Sequence, residues 1–162
     1  MAEVTFSSIL VPLDFSASSE RALRVGASLA GRYDARLTLL HVVHLPMPVP
    51  TFDGTDVIVD YDVLTKHSEE AAKTELGRLL EVTGLTGKAD VRIEIGDPVN
   101  TILDTIEDRQ VDLVVMGTHG RTGLSRLIMG SVTDRILRTA PCPVLAVREE
   151  AESEATTEKT TP

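Results

Sequence analysis

Tryptophan is absent from this 162-residue sequence, and aromatic residues make up only 3% of it. Apolar residues nevertheless account for 42% of the chain, which is typical of a globular protein of one domain. The core must therefore be built from aliphatic side chains, and such cores suit parallel strands covered by helices. The same scarcity argues against a flavin carrier, which would want aromatic side chains on both sides of the flavin ring.

Cysteine is almost missing as well, since Cys142 is the single one, and no disulfide can form within the chain. This suits a reducing compartment. Cys142 lies between two prolines, where we expect a buried residue at the entry to a strand rather than a reactive thiol. No run of 18 apolar residues occurs, and the first residues lack the basic and apolar segments of a signal peptide. We therefore expect a cytoplasmic protein with no membrane partner.

Positive charge is in deficit: 16 Lys and Arg stand against 25 Asp and Glu, a net charge of −9. General binding of nucleic acid needs a basic face, so we expect no nucleic-acid partner. Five of the acids and one lysine fall in residues 149–162, which carry −4 and leave −5 for the rest. This segment has few aliphatic residues to bury. We predict a disordered acidic tail at 149–162, after a domain that spans 1–148.

Short apolar runs alternate with helical patterns along the domain. The runs predict five strands, at 9–13, 36–43, 89–95, 111–116 and 143–148. Between them, apolar residues recur at helical spacing, as in Val99, Ile102, Leu103 and Ile106. Strands that alternate with helices form a mainly parallel sheet covered on both faces, and right-handed crossovers make it doubly wound.

Ligands of such sheets bind at the carboxyl ends of the strands, near the switch in strand order. Asp14, Val42, Gly96 and Gly117 all stand at predicted carboxyl ends and should cluster at one edge. The segment 46–60, with three prolines in its first five residues, is predicted to run over the surface, either as a lid or as an ordinary loop.

A glycine-rich segment follows the fourth predicted strand. Gly117, Gly120 and Gly130 are spaced as Gly-x2-Gly-x9-Gly, and Ser131 comes next. The segment has no lysine, so it is not a P-loop, and it is not the Gly-x-Gly-x-x-Gly of dinucleotide sites. The glycines either permit positive φ in a tight turn or let a phosphate approach the backbone.

Ser131 is open to two interpretations that can coexist. Asp134 lies three residues on, as in a capping box, so Ser131 could be the N-cap of the helix that follows. The backbone N–H groups of Ser131, Val132 and Thr133 would in either case face outward at a helix N-terminus, where the dipole favours phosphate.

The segment from Gly117 to Val132 resembles the universal stress protein family, in its ATP-binding branch. Residues 11–16 resemble that family's first strand, 40–42 its second and 141–147 its last, so that the resemblance covers about residues 7–148. The fold that we expect is a single doubly wound α/β domain with the strand order 3-2-1-4-5, of the Rossmann-like, adenine-nucleotide alpha-hydrolase-like kind.

The resemblance implies an ATP site. Gly117 and Gly120 would wrap the ribose and inner phosphates, and Gly130, Ser131 and Val132 would hold the outer phosphates. Val42 would offer backbone hydrogen bonds to the base. The whole predicted binding set is Pro12, Leu13, Asp14, Val42, Met116, Gly117, Gly120, Arg121, Gly130, Ser131, Val132 and Thr133.

Several members of this neighbourhood also have plain structural interpretations. Asp14 is either a ligand at the adenine end or an N-cap-like residue before the first helix. His119 and Arg121 either reach phosphate or are solvated loop residues. Mg²⁺ could bridge the phosphates and Asp14, although no cluster of ligand residues requires it. Gly117→Val is expected to abolish nucleotide binding and leave the fold mostly intact.

The predicted function is that of an ATP-binding regulatory or stress-response protein. The alternative is a slow ATPase or phosphoryl-transfer enzyme that uses the same site. We assign it no catalytic residue, because efficient phosphoryl transfer needs a clamp of lysine or arginine side chains and the glycine-rich segment offers few of them. A phosphorylation receiver is disfavoured, because Asp14 stands alone and the third strand ends in Ile95-Gly96.

The strand predicted at 143–148 would leave an exposed sheet edge. A homodimer that pairs two such strands antiparallel removes the edge, and a monomer whose tail covers the edge is the alternative. A downstream protein partner cannot be named from these residues.

Overall fold

The computed structural model describes residues 4–44, 60–119 and 129–149. Five strands form one parallel sheet in the order β3-β2-β1-β4-β5, which confirms the predicted order. The strands are β1 (Ser8–Pro12), β2 (Arg36–Val43), β3 (Asp90–Ile95), β4 (Leu113–Gly117) and β5 (Val144–Val147).

Within the described ranges, four helices connect these strands: α1 (Ala17–Tyr33), α2 (Tyr61–Thr83), α3 (Pro98–Asp108) and α4 (Ser131–Thr139). One aliphatic cluster joins α1 and α2 to one face of the sheet, and a second joins α3 and α4 to the other. The sheet is therefore doubly wound, as the alternation of patterns predicts. Over the described residues, no helix is both long and apolar enough to cross a bilayer.

Helices α1, α2 and α3 each begin at a polar residue whose side chain caps the first turn. The Ser16 side chain accepts a hydrogen bond from the backbone N–H of Ser19 at the start of α1. Glu20, in the first turn of the same helix, pairs with Arg78 of α2 at 3.0 Å. Asp97 accepts from the N–H of Asn100 at 3.0 Å, with a proline in the first turn of α3.

The fourth strand begins two residues later than its apolar run predicts. Val111 donates its backbone N–H to Ile106, which closes the end of α3. The Asp112 carboxylate accepts from the N–H groups of Ser7 and Ser8, at 2.7 and 3.1 Å. Val111 and Asp112 therefore form the connection from α3 to β4, and Asp112 holds the start of β1 beside β4. The apolar pattern of the sequence does not reveal this role.

Replacing Asp97 by alanine removes the acceptor at the start of α3, and we expect the free energy of unfolding to fall by about 1 kcal/mol. Asp97→Asn should retain most of it. Asp104→Ala, exposed in the same helix, is the control and should change stability by less than about 0.5 kcal/mol. Urea denaturation followed by circular dichroism measures all three, and equal losses for the two alanine variants would contradict the capping role.

Candidate functional site

A cavity of about 230 Å³ opens at the carboxyl edge of the sheet. It lies between β1 and β4, the neighbouring central strands at which the strand order reverses. Doubly wound sheets place their ligands at this switch point. The cavity is therefore where the topology leads one to look for a binding site.

Ten of the twelve residues predicted to bind ligand line this cavity: Pro12, Leu13, Asp14, Val42, Met116, Gly117, Gly130, Ser131, Val132 and Thr133. The other two, Gly120 and Arg121, lie outside the described residues, as do the segment 45–59 and residues 150–162. His119 is part of the lining too. Gly96, which the sequence predicts at the same edge, does not line the cavity. Its N–H donates to the Val43 carbonyl.

The lining also includes residues that sequence reasoning missed, namely Ser19, Leu40, Pro98 and Ile102. Pro98 and Ile102 stand on the first two turns of α3, which crosses the sheet edge beside β2. The apolar period of this helix marks Ile102 as buried, but it does not say that part of the buried face borders a cavity.

The chain turns sharply where β1 ends. The Leu13 N–H donates to the Leu40 carbonyl at 2.8 Å, and His41 Nδ1 donates to the Leu13 carbonyl at 2.7 Å. Phe15 has a φ of +63°, in the left-handed region, and its ring lies 4.4 Å from that of His41. His41, a residue of β2, therefore anchors the turn that carries Asp14 into the cavity.

The position of Asp14 suits either of the two roles that the sequence leaves open. One carboxylate oxygen accepts from the backbone N–H of Ser16 at 3.1 Å and from the Ser16 hydroxyl at 2.5 Å. Asp14 therefore braces the turn that leads into α1, and it also lines the cavity.

Val42 lies beyond the last paired position of β1, since Pro12 pairs with Leu40. The carbonyl of Leu40 faces β1 and that of Val43 faces β3, because they accept from Leu13 and Gly96 respectively. Backbone groups alternate sides along a strand, so the N–H and C=O of Val42 face the β1 side, where β1 has already ended. A hydrogen-bond donor and acceptor of the main chain are thus presented at the cavity.

At the end of β4, the chain passes very close to α1. A Cβ placed on Gly117 would lie 2.8 Å from the backbone carbon of Ser18 and 2.8 Å from the backbone nitrogen of Ser19. Beyond Gly117, the His119 carbonyl accepts from the hydroxyls of Ser18 and Ser16, at 2.5 and 3.2 Å. Gly117 is therefore required for helix packing, and the serines of α1 fix the chain that follows it.

The N-terminus of α4 opens into the cavity without a side-chain cap. Gly130, not Ser131, is the N-cap, and no side chain of the described residues caps it. The proposed capping box is therefore wrong: glycine has no acceptor to offer, and Asp134 pairs with Arg138 at 3.0 Å. The hydrogen bond from Arg138 holds the pKa of Asp134 below its usual value.

The position of this helix start is fixed by β4. The Thr133 hydroxyl donates to the Gly117 carbonyl at 2.8 Å, and the Gly130 N–H donates to the Thr118 carbonyl at 2.8 Å. The first N–H groups of a helix have no acceptor within it. Those of Ser131, Val132 and Thr133 are thus held at the cavity wall, where the dipole of α4 favours negative charge.

His119 contributes a further polar atom at this wall. Its Nδ1 is 2.8 Å from the Thr118 hydroxyl. Its Nε2 is buried and has no hydrogen-bond partner among the described residues. An unpaired buried nitrogen is costly unless a ligand or water completes it.

The model of the universal stress protein family matches residues 5–148. The chain belongs to the universal stress protein family. A universal stress protein of Methanocaldococcus jannaschii is 32% identical over 148 residues, which cover 91% of this chain and 85% of that protein. The predicted family resemblance is therefore confirmed.

Solved structures of the family share the fold. Universal stress protein UspA from Lactobacillus plantarum superposes with a TM-score of 0.73 at 28% identity, over 90% of this chain and all of that one. A universal stress protein solved in complex with cAMP gives a TM-score of 0.64 at 22% identity, over 91% and 100% of the two chains. At this lower identity the likeness concerns the fold alone.

Within the part of this universal stress protein that the structure describes, no three His, Cys, Asp or Glu side chains are grouped so as to hold a metal ion. Cys142 is half-buried, and burial, together with the charge of Asp112, raises the pKa of its thiol. A raised pKa keeps the thiol protonated at neutral pH, in line with the structural interpretation of this cysteine.

Gly117→Val tests the close approach of β4 and α1. The sequence suggested that the added side chain would face the ligand, but the structure directs it at the backbone of α1, which cannot move aside as a side chain could. We expect the free energy of unfolding to fall by about 3 kcal/mol or more, at or beyond the upper end of overpacking costs.

The matched control is Gly31→Ala on the exposed side of α1, where an added Cβ meets nothing within 4 Å. It should leave stability unchanged or raise it by up to about 1 kcal/mol. Urea denaturation compares the two. A Gly117→Val protein with unchanged stability but no nucleotide binding would instead support the expectation drawn from the sequence.

Proposed function

We propose that this universal stress protein binds an adenine nucleotide, with ATP as the ligand, and uses it for nucleotide-dependent regulation in a stress response. The observation that carries the proposal is that two sets of main-chain groups line one cavity. The N–H groups at the start of α4 line one side, and the main chain of Val42 lines another.

The phosphates are assigned to the start of α4. Backbone N–H groups at a helix N-terminus are a general solution for anion binding. Here they come from Ser131, Val132 and Thr133, and no side chain of the described residues caps them. The buried Nε2 of His119 is a further donor for phosphate or ribose oxygen when it carries the proton. Gly120 and Arg121 complete this end of the site in the proposal.

The base is assigned to the other side of the cavity. Val42 offers one donor and one acceptor, which match the acceptor and donor at the edge of an adenine ring. The apolar side chains of Leu13, Leu40 and Ile102, which help to line the cavity, suit the faces of the ring.

Mg²⁺ is assigned only an accessory role. Asp14 is the carboxylate at the cavity that could meet a metal ion bound to the phosphates, as Mg²⁺ is commonly held by one or two carboxylates plus phosphate oxygens. Because Asp14 also braces the turn before α1, nucleotide binding should not depend strictly on the metal.

The chemistry of the described lining favours binding over turnover. The described lining contains no Lys or Arg, so Arg121 is the single cation that the proposal places at the phosphates. Efficient phosphoryl transfer uses a cationic clamp together with metal ligands and a group that positions the nucleophile. We therefore propose a binding protein, with slow ATP hydrolysis as the alternative activity of the same site.

Ser131→Asp separates nucleotide binding from folding. A carboxylate in the first turn of α4 suits the helix dipole, so stability should hold or rise slightly, but the same charge repels phosphate. We expect ATP affinity to fall at least about tenfold, with a smaller loss for AMP. Calorimetric titration of nucleotide-stripped protein, with and without Mg²⁺, measures this.

Ser131→Ala is the matched control, because the Ser131 side chain does not cap the helix. It should lose only the hydroxyl contact and bind ATP within a few-fold of the natural protein. The proposal fails if the natural protein binds no adenine nucleotide, or if Ser131→Asp binds ATP as tightly as Ser131→Ala. Slow heat release after binding would favour the ATPase alternative.

We further propose a homodimer through the strand predicted at 143–148. Here β5 is an edge strand, paired on one side by β4, and Leu145 on it is 40% exposed. Leu137 of the neighbouring helix α4 is 39% exposed. An apolar edge strand is stabilised when a second copy pairs with it.

Leu145→Lys should convert the dimer to a monomer, because it places a charge on the edge strand. Light scattering coupled to size-exclusion chromatography gives the mass directly. Val82→Lys, at a site 69% exposed on α2, is the control and should leave the mass unchanged. A natural protein that is monomeric at micromolar concentration would contradict the dimer.

A further inference from the structure

An arginine stripe runs along the exposed side of α1 in this otherwise acidic protein. Arg21, Arg24 and Arg32 border a shallow surface groove together with Val25, Ser28 and Leu29. The positions 21, 24, 28 and 32 are three and four residues apart, so they lie on one face of the helix. The three arginines form a line of positive charge about 16 Å long.

Two arginines of this stripe, Arg24 and Arg32, have no ion pair with a described acid. Arg78, Arg92, Arg109 and Arg138 form the ion pairs of the described residues, with partners on α1, α2, β3 and α4. Arg24 and Arg32 are exposed and take part in none of these pairs. Two positive charges of the stripe are thus available to an acidic segment.

The end of the last strand leads to the same place. The backbone carbonyl of Arg148, one residue past β5, accepts from Arg21 Nη1 at 3.0 Å. The acidic segment 149–162 therefore leaves the domain beside the first arginine of the stripe. Its five acids and one lysine give it a charge of −4, opposite to the +3 of the stripe.

The length of the segment is sufficient for contact. Fourteen residues of flexible chain span about 20 Å on average, and about 45 Å when fully extended. Both values exceed the length of the stripe. Because the segment is tethered at one end, its effective concentration at the stripe is about millimolar, so that weak ion pairs suffice to populate the contact.

We propose that the acidic segment 149–162 docks on the arginine stripe of α1 and shields it from other polyanions. The contact is electrostatic, since the segment has few aliphatic side chains to bury. None of the residues that border the groove on α1 lines the cavity, so this proposal does not rest on the proposed nucleotide site. It also gives the segment a binding place within its own chain.

The first test follows the backbone amide signals of residues 150–161 in the full-length, ¹⁵N-labelled protein by NMR. Arg24→Gln combined with Arg32→Gln should move these signals toward the positions that they take in about 1 M NaCl, where screening is nearly complete. Lys73→Gln combined with Lys88→Gln removes the same charge from exposed sites on and just after α2 and should not move them. Signals that respond to neither the arginine variant nor salt would overturn the proposal.

A second measurement asks whether the segment shields the stripe, with heparin as the probe polyanion. Changing Glu150, Glu152, Glu154 and Glu158 to glutamine in the full chain should raise the salt concentration needed for elution from heparin. Adding Arg24→Gln and Arg32→Gln should reverse that rise, while the lysine pair should reduce it only slightly. If the arginine and lysine pairs reduce it equally, net charge alone governs retention and the shielding is refuted. Circular dichroism checks that each variant remains folded.

Discussion

The close approach of β4 to the first turn of α1 is the constraint on which the site depends. The two segments can come this close because Gly117 has no side chain, and a Cβ at this position would collide with the backbone of Ser18 and Ser19. The carbonyl of the same glycine accepts from Thr133, so α1 and α4 are both positioned against one residue. The cavity between them has a defined shape because its two helical walls share this reference point.

The four helices differ in how their first N–H groups are satisfied. Side chains cap α1, α2 and α3, whereas α4 begins at Gly130 with no side-chain cap among the described residues. A missing cap commonly costs a helix about 1 kcal/mol of stability. In α4, the burial of Ile136 and the hydrogen bond from the Thr133 hydroxyl to the Gly117 carbonyl help to offset that cost. The first N–H groups of α4, which no described side chain caps, fit the nucleotide site that we propose.

Net charge and local charge act on different scales in this protein. The chain carries −9 overall, yet the proposed phosphate site relies on oriented main-chain dipoles, whose effect is confined to the first turn of a helix. The arginine stripe is likewise a local feature, and the proposed docking of the acidic segment would neutralise it. An acidic chain can thus present two anion-attracting surfaces, one for a small ligand and one for its own tail.

The sequence by itself determined the family, the order of strands and helices and most of the cavity lining, because these follow from apolar periodicity, from glycine spacing and from the rule that strand ends meet at one edge. Only the tertiary structure decided that Gly117 faces α1, that Gly130 rather than Ser131 caps α4, and that Ser19 and Pro98 border the cavity. The tertiary structure likewise decided the role of Asp112, whose carboxylate accepts from the N–H groups of two serines more than 100 residues away. Each depends on contacts between segments far apart in the chain, and a local pattern carries no information about which atoms a fold brings within 3 Å.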